Sequence, residues 1–419
     1  MIHGRTPRFL CVGVVVVGVV ACNGDDDTAP TTTQTIVTTT SSPARANDGV
    51  LRLGVLLPTT GPGATLFGDG MIDAVELATD QINDAGGVNG SDVELINADE
   101  GATAASAAIG MDSLLTGGVD AIIGPASSTV ALSDLDAAVS AGVVTCSPTA
   151  TALALDNYPD EGLFFRTVPS DSLQMVAIAR VAERTGSTSI AIGYLDDSYG
   201  RGLEEALMSA VDERGLSVLA EVPFSGDDED LADEASDLLE NSPSVIAILG
   251  DAGDGTRLLA SVAQTTGDAD PPIIVVNDAL RDAQSQQVIQ GLRREVREQI
   301  KGVSPLAVTP NDRALTELYA ANAYDCVNLI ALASVQAGND SPTDIAAQMA
   351  AVSTGGSQCQ SFVECSEPLA RGLQIDYEGP SGNTELSRSG DPSRARFEEF
   401  EFDVDGRDQS VTTFEISSD

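Results

Sequence analysis

Residues 119–151, VDAIIGPASSTVALSDLDAAVSAGVVTCSPTAT, decide how this chain folds. An apolar run from Val119 to Ile123 ends in Gly124-Pro125-Ala126-Ser127-Ser128-Thr129. A second run, Gly142-Val143-Val144-Thr145-Cys146, ends in Ser147-Pro148-Thr149-Ala150-Thr151. From Ser128 to Ser147 the interval is 147 − 128 = 19 residues, room for one helix and one strand. Both turns therefore fall at the carboxyl ends of neighbouring parallel strands, the edge where ligands bind in open α/β sheets. Hydroxyls and unpaired backbone N–H groups gathered there suit a small carboxylate or another polar head group. No general base stands nearby, so the pattern reads as a binding site rather than a reaction centre.

The same alternation extends outward from this stretch. Upstream, Leu51 to Leu57 is a buried strand, Gly68 to Ala85 a helix stopped by Gly86-Gly87, Val93 to Asn97 a strand and Thr103 to Leu115 a helix. Downstream a second run of windings spans Ser189 to Val276: strands at Ser189–Leu195, Ser217–Val222, Val245–Leu249 and Pro272–Val276 alternate with helices. Two complete βα windings imply two parallel sheets and two Rossmann-like lobes, an α/β fold. Asn311 to Ala337 reads as one long helix and Pro342 to Val352 as another. Asp405-Gly406, between two alternating runs near the end, is a hairpin turn. The expected division is 49–167 plus about 301–353 for the first lobe and 168–300 plus about 354–419 for the second.

The chain opens as an exported one. Arg5 and Arg8 precede an apolar stretch, Leu10 to Val20, too short to span a bilayer. That stretch ends in Val19-Val20-Ala21-Cys22, the pattern of a bacterial lipobox, so residues 1–21 read as a signal peptide and Cys22 as the lipidated residue. An ordinary signal peptide with an incidental cysteine is the competing reading. Several acyl chains on one residue anchor durably, as one chain does not. Residues 22–48, rich in Asp, Thr, Ser and Pro, cannot bury enough surface to fold and read as a tether. The expected location is the outer face of the cytoplasmic membrane, held by lipid alone.

The net charge of −43 argues against nucleic acid and anionic membrane surfaces as partners. The only histidine is His3 and the only lysine Lys301. A mature chain without histidine cannot build a Ser-His-Asp or Cys-His site, nor a histidine-containing zinc site. No Walker A motif and no GxSxG elbow occurs. Carboxylate-only catalysis survives these exclusions. No cofactor and no metal is called for, and the acidic runs Asp227-Asp228-Glu229-Asp230 and Asp403-Val404-Asp405 read as solvated surface.

Beyond Cys11 and Cys22 four cysteines remain, and an exported chain with an even count favours disulfides. Cys359 and Cys365, close together beside Gly355-Gly356, read as a loop staple. Cys146 and Cys326 pair only if their elements touch; otherwise both are small buried side chains.

Val50 to Ile416 resembles the solute receptors of branched-chain amino-acid ABC importers, the leucine/isoleucine/valine-binding group with the type I periplasmic binding protein fold. The resemblance is carried by Gly54-Val55-Leu56-Leu57-Pro58, Thr60-Gly61-Pro62, Phe67-Gly68-Asp69-Gly70 and the two serine turns. Asp196-Asp197-Ser198-Tyr199-Gly200-Arg201-Gly202, Ala323-Tyr324-Asp325 and Tyr377-Glu378-Gly379-Pro380-Ser381-Gly382 continue it. It implies two hinged lobes that close on a ligand held in the cleft between them. It places the ligand's carboxylate on Ser128, Thr149 and Thr151, its ammonium on Asp278, and aromatic covers at Phe67 and Tyr199. Asp251, where the family often has an aromatic, is the rival acid. It further implies a monomeric receptor that delivers an amino-acid-like solute to ABC permease subunits.

Plainer roles stand beside these. Ser128 and Thr151 can be helix caps, Asp278 can cap the helix after Asn277, and Phe67 and Tyr199 can be packing residues. A sensor of the same fold and a carboxylate hydrolase are the alternatives to an importer receptor; the residues point to no enzyme.

Overall fold

The computed structural model describes residues 47–417 apart from 62, 65–67, 229, 282, 307–314 and 383. The leader, Cys22 and Phe67 lie outside the described residues.

The first sheet holds β1 (Arg52–Leu57), β2 (Glu94–Asp99), β3 (Ala121–Ile123), β4 (Val144–Ser147) and β5 (Phe164–Arg166) in the order β2-β1-β3-β4-β5. Every pairing is parallel. Helices α1 (Asp69–Asp84), α2 (Ala104–Gly117) and α3 (Ser128–Ser140) make the crossovers. Strand side chains alternate between two cores, as a period of two requires. Leu53, Val55 and Leu57 meet α1 through Met71, Val75 and Ile82. Leu56 and Ile122 face Met111, Leu114 and Ala138 of α2 and α3.

The second lobe begins with α4 (Asp171–Arg184) and winds through β6 (Ser189–Leu195), α5 (Ser198–Glu213), β7 (Ser217–Phe224) and α6 (Ala232–Leu239). It continues with β8 (Val245–Leu249), α7 (Ala252–Thr266), β9 (Ile273–Asn277), a 3-10 turn at Asp278–Arg281, α8 (Ala283–Gly291), α9 (Arg294–Arg297) and β10 (Ile300–Pro305). The chain returns as α10 (Ala320–Ala337), α11 (Pro342–Met349), β11 (Ser357–Cys359), α12 (Phe362–Ala370) and β12 (Ile375–Tyr377), and ends in β13 (Arg394–Phe402) and β14 (Asp408–Ser417). The seven-stranded order is β14-β13-β10-β9-β8-β6-β7. Strands β6 to β10 are parallel, whereas β13 and β14 add an antiparallel ribbon joined at Asp405-Gly406.

Three sequence expectations need correction. Residues 301–305 do not belong to the first lobe: β10 pairs with β9, and Gly302 lies under the Phe400 ring where a Cβ would collide; the chain re-enters the first core only with Leu315 and α10. Residues 354–386 do not belong to the second lobe, because Cys359, Phe362, Leu369, Ile375 and Tyr377 pack in the first core. The long helix starts only at Ala320, since Tyr319 has φ 61° and interrupts it. The sequence reading passed over β5 and α4 altogether.

The chain crosses between lobes after β5, after β10 and after β12. Thr167 Oγ1 donates to Asn322 O at 2.9 Å and Asn322 Nδ2 returns a bond to Thr167 O at 2.7 Å, tying the first crossing to α10. Cys146 and Cys326 form a disulfide between β4 and α10, and Cys359 is bonded to Cys365.

Candidate binding site

The two serine turns are held from within. At the end of β3, Gly124 has φ 113°, and a Cβ there would run into Leu56 O, so only glycine lets the chain turn so close to β1. Ser127 caps α3, its hydroxyl accepting from Val130 N–H at 3.5 Å. The Glu100 carboxylate, 2% exposed, accepts Ala126 N–H at 2.7 Å and Ser127 N–H at 2.9 Å. A carboxyl group of the chain itself thus takes the N–H groups at the start of α3, and burial raises its pKa. In the second turn, the buried Ser147 hydroxyl donates to Pro125 O at 2.6 Å and accepts Ala150 N–H at 3.0 Å. Thr149 Oγ1 donates to Ala126 O at 2.5 Å, and Ser128 Oγ accepts Ala152 N–H at 3.3 Å. Side chains expected to face a ligand therefore cross-link the turns.

A cavity of ≈ 570 Å³ lies between the lobes, bounded by Thr151, Asp171, Tyr199, Asp278 and Tyr319 among others. The structure brings together three residues singled out from the sequence: Thr151, Tyr199 and Asp278. Ser128 and Thr149 are not on its wall. Asp251 is exposed and caps α7, accepting Asp254 N–H at 2.9 Å. Phe67 lies outside the described residues.

Thr151 is fixed by Arg166, a fully buried residue of β5. Arg166 Nη1 donates to Ala150 O and Ala152 O, both at 3.2 Å, on either side of Thr151. Its other nitrogens reach Asp156 at 2.6 Å and Asp391 at 2.7 Å. A guanidinium offers this planar fork, and no ammonium could.

Asp171 was not anticipated. It is the first residue of α4 behind the Ser170 cap, its N–H bonded to Thr151 O at 3.0 Å. It is 6% exposed. Burial, and then the charge of Asp278, push its carboxyl up to about 7, against pulls from the Thr151 hydroxyl and Arg166. One turn on, Gln174 Nε2 donates to Asp278 Oδ1 at 2.7 Å and to Val303 O at 3.0 Å. Burial raises the Asp278 pKa, which the Gln174 hydrogen bond partly offsets. Tyr199, 37% exposed, starts α5 behind the Asp197 cap, which accepts Gly200 N–H at 2.8 Å. Burial together with Asp278 and Asp171 raises the Tyr319 hydroxyl to about 12.

A further buried carboxyl shapes the wall at Ser381 and Gly382. Asp325, fully buried in α10, accepts the Tyr377 hydroxyl at 2.7 Å and Ser381 N–H at 2.8 Å. Burial pushes its pKa to about 7.

The cavity is thus acidic and hydroxyl-bearing, with apolar walls at Leu306, Leu315 and Leu318. Among the described residues no group of three or more His, Cys, Asp or Glu side chains could hold a metal ion.

Residues 50–291 match the sequence profile of a family described as periplasmic binding protein. The chain is 28% identical over 360 residues to the chemotactic signal transduction system substrate-binding protein BasB of Halobacterium salinarum, covering 81% of this chain and 84% of that one. It is 24% identical over 363 residues to the leucine-, isoleucine-, valine-, threonine- and alanine-binding protein of Pseudomonas aeruginosa, covering 85% and 90%. In fold it is similar to the ABC transporter substrate-binding protein of Desulfitobacterium hafniense in complex with Leu, with TM-score 0.64, 22% identity and 86% and 100% coverage.

Proposed function

The chain belongs to the periplasmic binding protein family, and from that premise we propose that it is the extracytoplasmic receptor for a small amino-acid-like solute, which it hands to an ABC importer. The observation that carries this reading is the cavity itself. Its wall combines Thr151 from the first lobe, Asp171 from the first crossing, and Tyr199 and Asp278 from the second lobe. A solute seated there touches both lobes, so binding favours the closed arrangement by its differential affinity. Asp278 is the ammonium partner, and Thr151 supplies a hydroxyl at the carboxylate end. Cys22 is the lipidated residue that tethers the receptor, as a monomer, to the outer face of the membrane.

A thermal-shift panel of amino acids, amides and small carboxylates on the full-length chain tests this. A ligand at 100 times its dissociation constant adds about 2.7 kcal/mol of stability. Asp278→Ala weakens an amino-acid ligand by more than about tenfold. A panel without a single shift would remove the receptor reading.

A sensor role is the second reading, supported by the chemotactic relative of Halobacterium salinarum. Loss of solute uptake on deleting the gene supports the importer role; loss of a taxis response with uptake intact supports the sensor.

A further inference from the structure

One wall of the cavity, at Ser381 and Gly382, is held from behind by a fully buried carboxyl. Asp325 of α10 accepts Ser381 N–H at 2.8 Å and the Tyr377 hydroxyl at 2.7 Å. Among the described residues it is the only side chain bonded to the main chain of residues 379–382. Further along, Thr384 Oγ1 donates to Tyr377 O and Leu386 N–H to Ser353 Oγ at 3.1 Å, so the chain is pinned again. Residues 379–382 therefore form a short loop with one central hold. Gly379 brings this loop so close that an added Cβ would overlap the Asp325 carboxyl, and the loop covers it.

That hold is a titratable group without a cation. Burial pushes the Asp325 carboxyl up to about 7, against pulls from the Ser381 and Tyr377 hydroxyls and Ser381 N–H. The charge of Glu378 adds to the push. Glu378 is itself paired with Arg394 of β13 at 3.2 Å. Tyr324, next to Asp325 on α10, turns its hydroxyl to Gln81 of α1 at 2.6 Å. Dehydration thus outweighs the donors, and the ionised carboxyl is the costly form under the closed loop. Lifting the loop readmits water and returns the group to its ordinary value of 3.8. By linkage, lifting is favoured progressively as pH rises from near 4 through 7.

We propose that Asp325 is a proton-controlled positioning residue of the cavity: protonated, it seats the Ser381–Gly382 wall, and ionised, it lets that wall loosen. The consequence, firmer solute binding in mildly acidic surroundings, rests on the receptor reading. The loosening itself does not, and it is tested without a ligand.

Hydrogen–deuterium exchange of the ligand-free full-length chain from pH 5 to pH 8.5, each rate divided by the intrinsic rate at that pH, reads the Ser381 amide in the loop. The expected result is that residues 379–382 lose protection by at least about tenfold between pH 5 and pH 7 and level off above, while β3 stays constant. Asp325→Asn keeps one donor and one acceptor in nearly the same volume, and holds the loop's protection constant across the range. Tyr377→Phe removes a donor to the ionised form, so the levelling point moves to higher pH. Flat protection in the wild-type loop overturns the proposal, and so does an unaltered fall in Asp325→Asn. A loss shared equally by β3 is global unfolding and overturns it too. Where Asp325→Asn does not fold, Tyr377→Phe decides: an unmoved levelling point overturns the assignment, and all of these outcomes leave the receptor reading to its own thermal-shift test.

Discussion

Arg166 and Asp391, 225 residues apart in sequence, are joined by a 2.7 Å hydrogen bond from Nε to Oδ1. The same guanidinium reaches Asp156 at 2.6 Å, so one buried cation ties the turn after Thr151 to the first and third crossings. Removing it strands two carboxylates. Arg166→Met is expected to lower the unfolding free energy by about 3–5 kcal/mol. Urea melts check this, and a loss below about 1 kcal/mol would show that the pairs are dispensable.

Gln174 acts on the ligand through Asp278. Its hydrogen bond favours the ionised carboxylate, so Gln174→Leu raises the Asp278 pKa further. Amine affinity then falls by about tenfold or more, and the pH at which binding fails on acidification moves upward. Titrations at a series of pH values read both effects; an unmoved pH profile contradicts the coupling.

Asp171 and Asp325 stay protonated up to about 7 in the folded chain, against 3.8 for an ordinary aspartate. Between those values the folded state binds more protons than the unfolded one. Stability of the ligand-free chain therefore falls as pH rises from near 4 through 7, by on the order of a few kcal/mol from these groups. Melting curves in high salt, which screens the net charge, measure it. Asp171→Asn flattens the slope, and a slope of the opposite sign would refute the assignment.

Gly379 allows the Asp325 cluster to close. A Cβ there would overlap the Asp325 carboxyl and lie 2.6 Å from the Tyr377 hydroxyl oxygen. Gly379→Ala is expected to cost about 1–3 kcal/mol, seen as a lower urea midpoint. An unchanged midpoint would mean that the loop yields.

The two disulfides differ in reach, with sequence separations of 180 and 6. The chain-entropy account gives on the order of 5 kcal/mol for the first and on the order of 2 for the second. Paired alanine replacement at Cys146 and Cys326 should therefore lower the melting temperature more than replacement at Cys359 and Cys365. The reverse order would point to strain or residual structure instead.

Parallel strands were legible because burial on both faces makes them apolar runs between turn residues, as at Val119 to Ile123 and Val245 to Leu249. The ligand edge followed from the turns at Ser127 and Ser147. The helix that carries Asp171 and Gln174 was not read, although Leu173, Ala177, Ile178 and Val181 recur at helical spacing. Its polar first turn and the three-residue strand before it gave no boundary. Nor could local pattern reveal Glu100, whose partners at Ala126 and Ser127 are reached only through the fold. The lobe boundary near 301 was missed for a similar reason. Ile300 to Pro305 is a short strand of mixed polarity after a helix, and nothing in it says which sheet it joins.

The Cys146–Cys326 bond encloses nearly the whole second lobe, from α4 to β10. The first lobe is consequently a body interrupted by a guest, and the sulfur bridge is a seam beneath the point of insertion. A protease that nicks an exposed loop between Cys146 and Cys326 leaves both fragments covalently attached. The chain cut in this way remains one covalent molecule.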